Sequence, residues 1–251
     1  MKRNFLFAWY QTPRGKLLKE LEAGYLQRSI TVSCQQIILQ IGGLGWENEF
    51  IDCTLYKNYT VLDAKGFGCN ETRKIQAKAY GLPLQSDSID MIIVPHLLEF
   101  DTHRFQTMRE VERVLKPEGQ LVVLNFNPWS LWVWYQYLWD KKMADSWKGH
   151  FISRSRILDW LRLLNFEVTV SSEFNLDSVS SKHGKFIAYG HSFFSTAYAI
   201  KAIKRRYNII PLTPVKNESP RLVLVNSLNP SARIKKHDCC CNYLYRWGLS
   251  W

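Results

Sequence analysis

Four short runs dominate what this chain can fold into. Residues 36–41 (QIILQI), 59–62 (YTVL), 88–94 (SIDMIIV) and 120–126 (QLVVLNF) are close to continuously apolar. Each stops at a residue that turns the chain: Gly42, Asp63, Pro95 and Asn127. A strand with one wet face alternates apolar and polar residues, whereas a strand buried on both faces reads as an unbroken apolar run. Between and around these runs the period changes to that of a helix. Leu17, Leu18, Leu21 and Tyr25 form one apolar series. Phe105, Met108, Val111, Val114 and Leu115 form a second, behind a cap expected at Asp101 or Thr102. Ile157, Leu158, Leu161 and Leu164 form a third, behind Ser153 or Ser155, with Asn165 placed to end it in the left-handed conformation. Lys116-Pro117-Glu118-Gly119 reads as a stop and turn. Residues 167–170 (EVTV) and 198–203 add two further strands. Buried strands alternating with helices imply an α/β doubly wound sheet.

The organisation expected from this pattern is a helical lead-in over 1–35, a main domain over 36–214 with an aromatic-rich cover at 127–150, and a basic tail over 215–251 that need not be ordered. The charge distribution agrees with that division. The 251 residues carry a net charge of +11, but residues 1–200 contribute only +3 and residues 201–251 contribute +8. The basic end is the part of the chain suited to nucleic acid or another anionic surface, and Lys204-Arg205-Arg206 and Arg233-Ile234-Lys235-Lys236 are its clusters. No run approaches the roughly 18–20 apolar residues of a bilayer span. The start of the chain lacks the apolar stretch and small-residue cleavage site of a signal peptide. Cys34, Cys53 and Cys69 are scattered and Cys239-Cys240-Cys241 are adjacent, which is neither a disulfide framework nor the spaced pairs of a zinc site. No metal is expected, and the expected location is the reducing cytoplasm. Oligomeric state is not legible.

In a doubly wound sheet ligands gather beyond the carboxyl ends of the strands. That directs attention to Gly42-Gly43-Leu44-Gly45, Asp63, Pro95-His96 and Asn127-Pro128. Glycines after a strand let backbone approach a ligand closely. An acid 18 residues after Gly45, at the end of the next strand, suits a ribose diol. Together they point to an adenosine-containing cofactor.

Further landmarks follow in order: Leu82-Pro83-Leu84, Asp87-Ser88-Ile89-Asp90, His96-Leu97-Leu98-Glu99-Phe100, and the stretch from Arg109-Glu110-Val111 to Leu115-Lys116-Pro117-Glu118-Gly119. With these blocks the chain resembles the class I S-adenosylmethionine (SAM)-dependent methyltransferases. Trp9-Tyr10-Gln11-Thr12-Pro13-Arg14-Gly15, Phe126-Asn127-Pro128-Trp129-Ser130-Leu131-Trp132 and Ser155-Arg156-Ile157-Leu158-Asp159-Trp160-Leu161 narrow the likeness to the bacterial YafS-like subgroup, over about residues 9–214. The resemblance implies a Rossmann-like doubly wound sheet with a final antiparallel strand at 198–203, and SAM as cofactor, contacted by Gln40, Gly42, Gly43, Gly45, Asp63, Ala79, Leu82, Pro95 and His96.

Several positions depart from the family pattern. Gln40 stands where the loop's acid usually lies, Leu44 and Trp46 where its second and third glycines lie, and Lys78 where an acid usually meets the adenine amino group. The stretch from Asp63 to Leu82 is short for an intervening helix. His96, after the fourth strand, is the candidate catalytic group, suited as a neutral imidazole to accept a proton from the acceptor. Asn127, Trp129 and Trp132 are expected to line the substrate pocket. Asn127-Pro128-Trp129 also resembles the NPPY tetrad of amino methyltransferases, but it follows the fifth strand rather than the fourth. The reading is methyl transfer from SAM to an O, N or C nucleophile on a small molecule. The competing readings are a methyltransferase-fold scaffold without turnover, an RNA methyltransferase using the basic end, and a nicotinamide-dependent oxidoreductase. The last rests on Gly43-x-Gly45, Asn48 and Asp63, and the later blocks do not fit it.

Overall fold

The computed structural model describes residues 4–66, 68, 72–130, 151–176, 187–188 and 195–206. These belong to the first of two units, Met1–Asn208 and Ile209–Trp251. Most of the expected aromatic cover, including Trp132, lies outside the described residues, as do the basic tail and Cys239-Cys240-Cys241.

Helices α1 (Asn4–Tyr10) and α2 (Pro13–Ser29) lead into a sheet of β1 (Ile38–Ile41), β2 (Tyr59–Leu62), β3 (Arg73–Ile75), β4 (Ile89–Pro95), β5 (Leu115–Phe126), β6 (Phe166–Phe174), β7 (Ile187–Ala188) and β8 (Ala197–Lys204). Helix α3 (Arg104–Val114) joins β4 to β5, and α4 (Arg154–Leu163) precedes β6. The spatial order is β3-β2-β1-β4-β5-β8-β6-β7. β1 to β5 run parallel, and β8 lies antiparallel between β5 and β6. The doubly wound sheet with a final antiparallel strand is therefore present, and the strand expected at 198–203 is β8.

Period-two alternation sends neighbouring residues to opposite faces. Ile38, Met91, Ile93, Val122 and Leu124 pack with Leu6, Trp9, Leu18 and Leu26 of α1 and α2. Leu39, Ile41, Ile92, Val94, Leu121 and Val123 pack on the other side, with Met108, Val111 and Val114 of α3 and Ile157 and Leu161 of α4. The four founding runs are close to continuously apolar because both faces are covered.

The junction of α1 and α2 is close-packed. Thr12 caps α2, its hydroxyl accepting from Gly15 N at 3.1 Å and donating to Trp9 O at 2.7 Å. A Cβ on Gly15 would lie 2.1 Å from Trp9 O, so only glycine fits there. Of the helical series expected in α2, Leu18 and Tyr25 are buried while Leu17 is partly exposed.

Three local features differ from the sequence reading. The turn at 116–119 is absorbed into β5 as a bulge. Pairing passes from Ile89–Leu115 to Met91–Gln120, and Glu118 takes φ 62°. Helix α3 begins after His103. Asp101 acts from outside it, accepting from His103 N at 2.9 Å and from the Thr107 hydroxyl. The short β3 (RKI) carries no apolar run and so gave no signal. As the short spacing from Asp63 to Leu82 implies, no α-helix lies among the described residues there, and none lies among those between β1 and β2. A 3-10 turn at Glu47–Glu49 is the helical element there. Asn165 ends α4 with φ 59°.

Candidate functional site

The glycine turn leaves β1 with Gly42 at φ 103° and Gly45 at φ 85°, conformations that side chains with a Cβ rarely adopt. Gly42 N donates to Leu62 O at 2.7 Å, fastening the turn to the end of β2. Asp63, the next residue, accepts from Gly43 N at 3.2 Å through Oδ2 and from Lys65 N at 2.8 Å through Oδ1. The expected ribose acid and the glycine turn are thus one hydrogen-bonded unit at the carboxyl edge of the sheet.

Glu47, which the sequence reading passed over, organises the turn from behind. It is fully buried, and Oε1 accepts from Leu44 N at 2.6 Å and Gly45 N at 3.1 Å. Gln40 Nε2 donates to the same oxygen at 3.1 Å and to Gly42 O at 2.8 Å. The Tyr59 hydroxyl donates to Gln40 Oε1 at 2.5 Å. Gln40 serves here as a relay. Its amide reaches both the turn and the carboxylate that holds the turn, a task an acid at this position could not perform without a proton. The negative charge stands at Glu47, seven residues later.

His96 occupies the turn after β4 with φ 44°, its N–H donating to Leu124 O at 2.8 Å. Its ring is fully buried between two acids. Nε2 lies 2.9 Å from Glu22 Oε1, and Nδ1 lies 3.6 Å from Glu99 Oε2. Glu22 comes from α2, and its other oxygen accepts from the Tyr10 hydroxyl at 2.6 Å. Glu99 Oε1 accepts from Phe126 N. The Phe126 ring covers the imidazole at 4.3 Å between centroids. Burial opposes a charge on His96, but the Glu22 carboxylate and then Glu99 outweigh it and raise the imidazole to about 9. The sequence points to His96 and Glu99, but its periodicity sets Glu22 among the polar residues between the apolar positions of α2, whereas Glu22 is fully buried. A charged residue on the buried face of a helix, between Leu18 and Leu26, was the available signal.

Pro95 ends β4, and Leu82 is buried in the core face beneath α3. Ala79 packs against the same core while Lys78 is exposed. The Leu82-Pro83-Leu84 and Arg109-to-Gly119 landmarks prove to be one clamp. Arg113 donates to Leu82 O, Leu84 O and the Ser86 hydroxyl, and Glu110 accepts from Leu82 N. Their mutual ion pair at 2.8 Å lowers the Glu110 pKa and raises that of Arg113. Asn127 Nδ2 donates to the Ser195 hydroxyl at 2.9 Å and its Oδ1 accepts from Trp129 N, leaving the Trp129 ring 63% exposed.

The basic cluster Lys204-Arg205-Arg206 is engaged by acids: Lys204 by Asp87 and Glu112, Arg205 by Glu118 and Glu167, Arg206 by Asp87. It closes the end of β8 and offers no unneutralised charge to phosphate.

A glycine turn after β1, an acid after β2, and an antiparallel strand inserted beside β5 in a parallel sheet define the class I methyltransferase fold. Comparison with known proteins agrees. Residues 51–123 match the family described as "Methyltransferase domain", a stretch that takes in Asp63, Ala79, Leu82, Pro95 and His96 and starts beyond the glycine turn. The chain is 29% identical over 218 residues to the uncharacterized protein YafS of Escherichia coli (strain K12), covering 85% of this chain and 88% of that protein. It is 39% identical over 62 residues to the ubiquinone/menaquinone biosynthesis C-methyltransferase UbiE of Hahella chejuensis (strain KCTC 2396), about a quarter of either chain. Among solved structures, a SAM-dependent methyltransferase of Thermotoga maritima, described as a possible histamine N-methyltransferase, shares the fold. Its TM-score is 0.56 at 18% identity, covering 81% of this chain and 93% of that one. No described helix is long and apolar enough to cross a membrane.

Proposed function

We propose that this protein transfers the methyl group of SAM to an oxygen, nitrogen or carbon nucleophile. The observation that carries the reading is the hydrogen bond from Gly43 N to Asp63 Oδ2, which sets a glycine turn and a ribose-type acid side by side at the carboxyl edge of the sheet. The residues there fit the cofactor. Gly42 and Gly45 hold positive φ, and the ideal Cβ position on Gly45 meets nothing nearer than the Phe7 ring at 3.9 Å, so the turn has room on its outer side. Asp63 would accept the ribose hydroxyls, the backbone of 42–45 would face the cofactor's polar end, and Ala79 and Leu82 would flank the adenine. SAM supplies an electrophilic methyl on a sulfonium, so the protein's main task is alignment and exclusion of water.

His96 takes a positioning role in this reading. Wholly buried and held as an imidazolium between Glu22 and Glu99, it fixes the turn after β4 and ties α2 to the site. The acceptor carried forward from the sequence is a small molecule. RNA is the second reading, favoured by the cationic aromatic surface described below.

Calorimetric titration tests the cofactor. SAM or S-adenosylhomocysteine should bind the purified chain, and Asp63→Ala should weaken binding by about tenfold or more, the loss of a charge-assisted hydrogen-bond pair. Absence of binding at millimolar ligand would refute the reading. Labelled methyl transfer into cell-extract fractions, lost in Asp63→Ala, would exclude the scaffold alternative.

A further inference from the structure

Around the β3–β4 connection and the starts of α3 and α4 lies a surface of part-exposed rings and cations, among them Lys78, at the position where the family pattern has an adenine-contacting acid. Lys78 Nζ sits 5.6 Å from the Tyr80 ring, and Tyr80 lies 4.5 Å from His103. His103 lines a cleft of about 420 Å³ with Phe105, Arg156 and Trp160. Phe105 meets Trp160 at 5.9 Å and carries the Arg109 guanidinium over its other reach at 5.0 Å. Tyr80 and Phe105 are 36% and 38% exposed, so part of each ring faces solvent.

Among the described residues, Lys78, Arg109 and Arg156 make no ion pair with a carboxylate, unlike Lys204, Arg205 and Arg206. The acids of the two helices are turned to other work. Glu110 holds Arg113 and Leu82 N, Glu112 holds Lys204, and Asp159 lies 3.9 Å from Arg162. Asp101 accepts from His103 N and Thr107. What remains is net positive, studded with rings, and continuous from the β3–β4 connection across the start of α3 to α4.

We infer that this surface binds a single-stranded polynucleotide, its phosphates meeting Lys78, Arg109 and Arg156 and its bases stacking on Tyr80, Phe105 and Trp160. Unpaired cations interleaved with exposed rings match the two requirements of a single strand, a charged backbone and flat apolar faces. A double helix would offer no faces, and a lipid surface would ask for a contiguous apolar patch rather than rings separated by charges. The inference stands without the cofactor reading.

The test is fluorescence anisotropy of a labelled RNA oligonucleotide of about a dozen nucleotides, titrated with the full chain at several salt concentrations and without cofactor. Arg109→Glu/Arg156→Glu should weaken binding by more than tenfold and lower the salt slope by about two, one per lost phosphate contact. Phe105→Leu, which keeps apolar volume but removes the ring, should weaken RNA binding about fivefold while leaving competition by polyphosphate unchanged. Phe105→Tyr should restore it. Wild-type affinity and slope in the double arginine variant would overturn the proposal and assign any binding to residues elsewhere, such as the basic tail. Equal affinity for duplex would overturn it in favour of a phosphate-only surface. Capture by phosphatidylserine vesicles, lost in the double variant, with no RNA binding would overturn it in favour of a lipid surface.

Discussion

Glu22 Oε1 and His96 Nε2 stand 2.9 Å apart with neither side chain exposed, joining the second helix of the chain to the turn after the central strand β4. Burial disfavours the imidazolium, and Glu22 and Glu99 together outweigh it, raising His96 from 6.5 to about 9. The sign of the pH dependence follows. A group whose folded pKa is raised contributes fully below its unfolded value and loses that contribution as pH rises through the folded value. Unfolding free energy should therefore fall between pH 6.5 and 9, by an amount on the order of a few kcal/mol. Urea melts across this window will show it. Glu22→Gln should flatten the dependence and lower stability near neutrality by about 3–5 kcal/mol, the usual cost of breaking a buried pair. A slope unchanged in Glu22→Gln would dissociate the pair from the pH dependence.

Gly15 controls the same cluster from a distance. The only space for its missing Cβ is occupied by Trp9 O, 2.1 Å away, and Trp9 precedes Tyr10, whose hydroxyl bonds Glu22. Gly15→Ala must push α1 off α2, although alanine is the better helix former by about 1 kcal/mol. We expect a net destabilisation of about 2 kcal/mol or more, with a rise in tryptophan solvent exposure seen by fluorescence. A stabilised Gly15→Ala would mean that α1 is free to shift.

How much of this was legible in the residues varies with the physics behind each feature. β1, β2, β4 and β5 announced themselves because burial on both faces removes polar residues from a strand. β3, three residues at the sheet edge, is held by pairing to β2 and has no apolar signature to read. Gly42, Gly43, Gly45 and Asp63 were legible because the turn and the acid sit at strand ends. Glu47 and Glu22 were not. Each is a buried acid whose partners, a set of backbone amides and a histidine 74 residues away, come together only in the folded chain. The departure at Gln40 was visible, but its meaning was not. The missing charge had moved to Glu47.

That relocation can be tested by moving the charge back. Glu47→Ala leaves Leu44 N and Gly45 N without their acceptor, at a cost of about 1–3 kcal/mol each way the amides remain buried. It should also loosen the turn and weaken SAM binding. Gln40→Glu alone sets a second carboxylate against the first and should destabilise the chain. Gln40→Glu combined with Glu47→Gln should recover part of that loss, measured as a favourable coupling in a double-mutant cycle of thermal melts. Additive effects would show that the two residues act separately.

Lys204 closes the opposite end of the domain and gives the sharpest structural prediction. It is the last residue of β8 and is 2% exposed. Its ammonium is 3.0 Å from Asp87, 3.1 Å from Glu112 and within hydrogen-bond reach of Glu112 O and Leu115 O. An ammonium supplies three donors, and here they answer the carbonyls that the end of α3 leaves without intrahelical partners. Lys204→Met keeps the aliphatic stem and removes the charge, stranding both carbonyls and leaving Glu112 without its cation, while Asp87 keeps Arg206. The loss should be about 3–5 kcal/mol. Lys204→Arg should lose less. Because α3 also carries Arg109 and the Glu110–Arg113 clamp, hydrogen exchange in Lys204→Met should rise first across α3 and residues 82–86. An increase confined to β8 would separate the strand end from the helix it is built to hold.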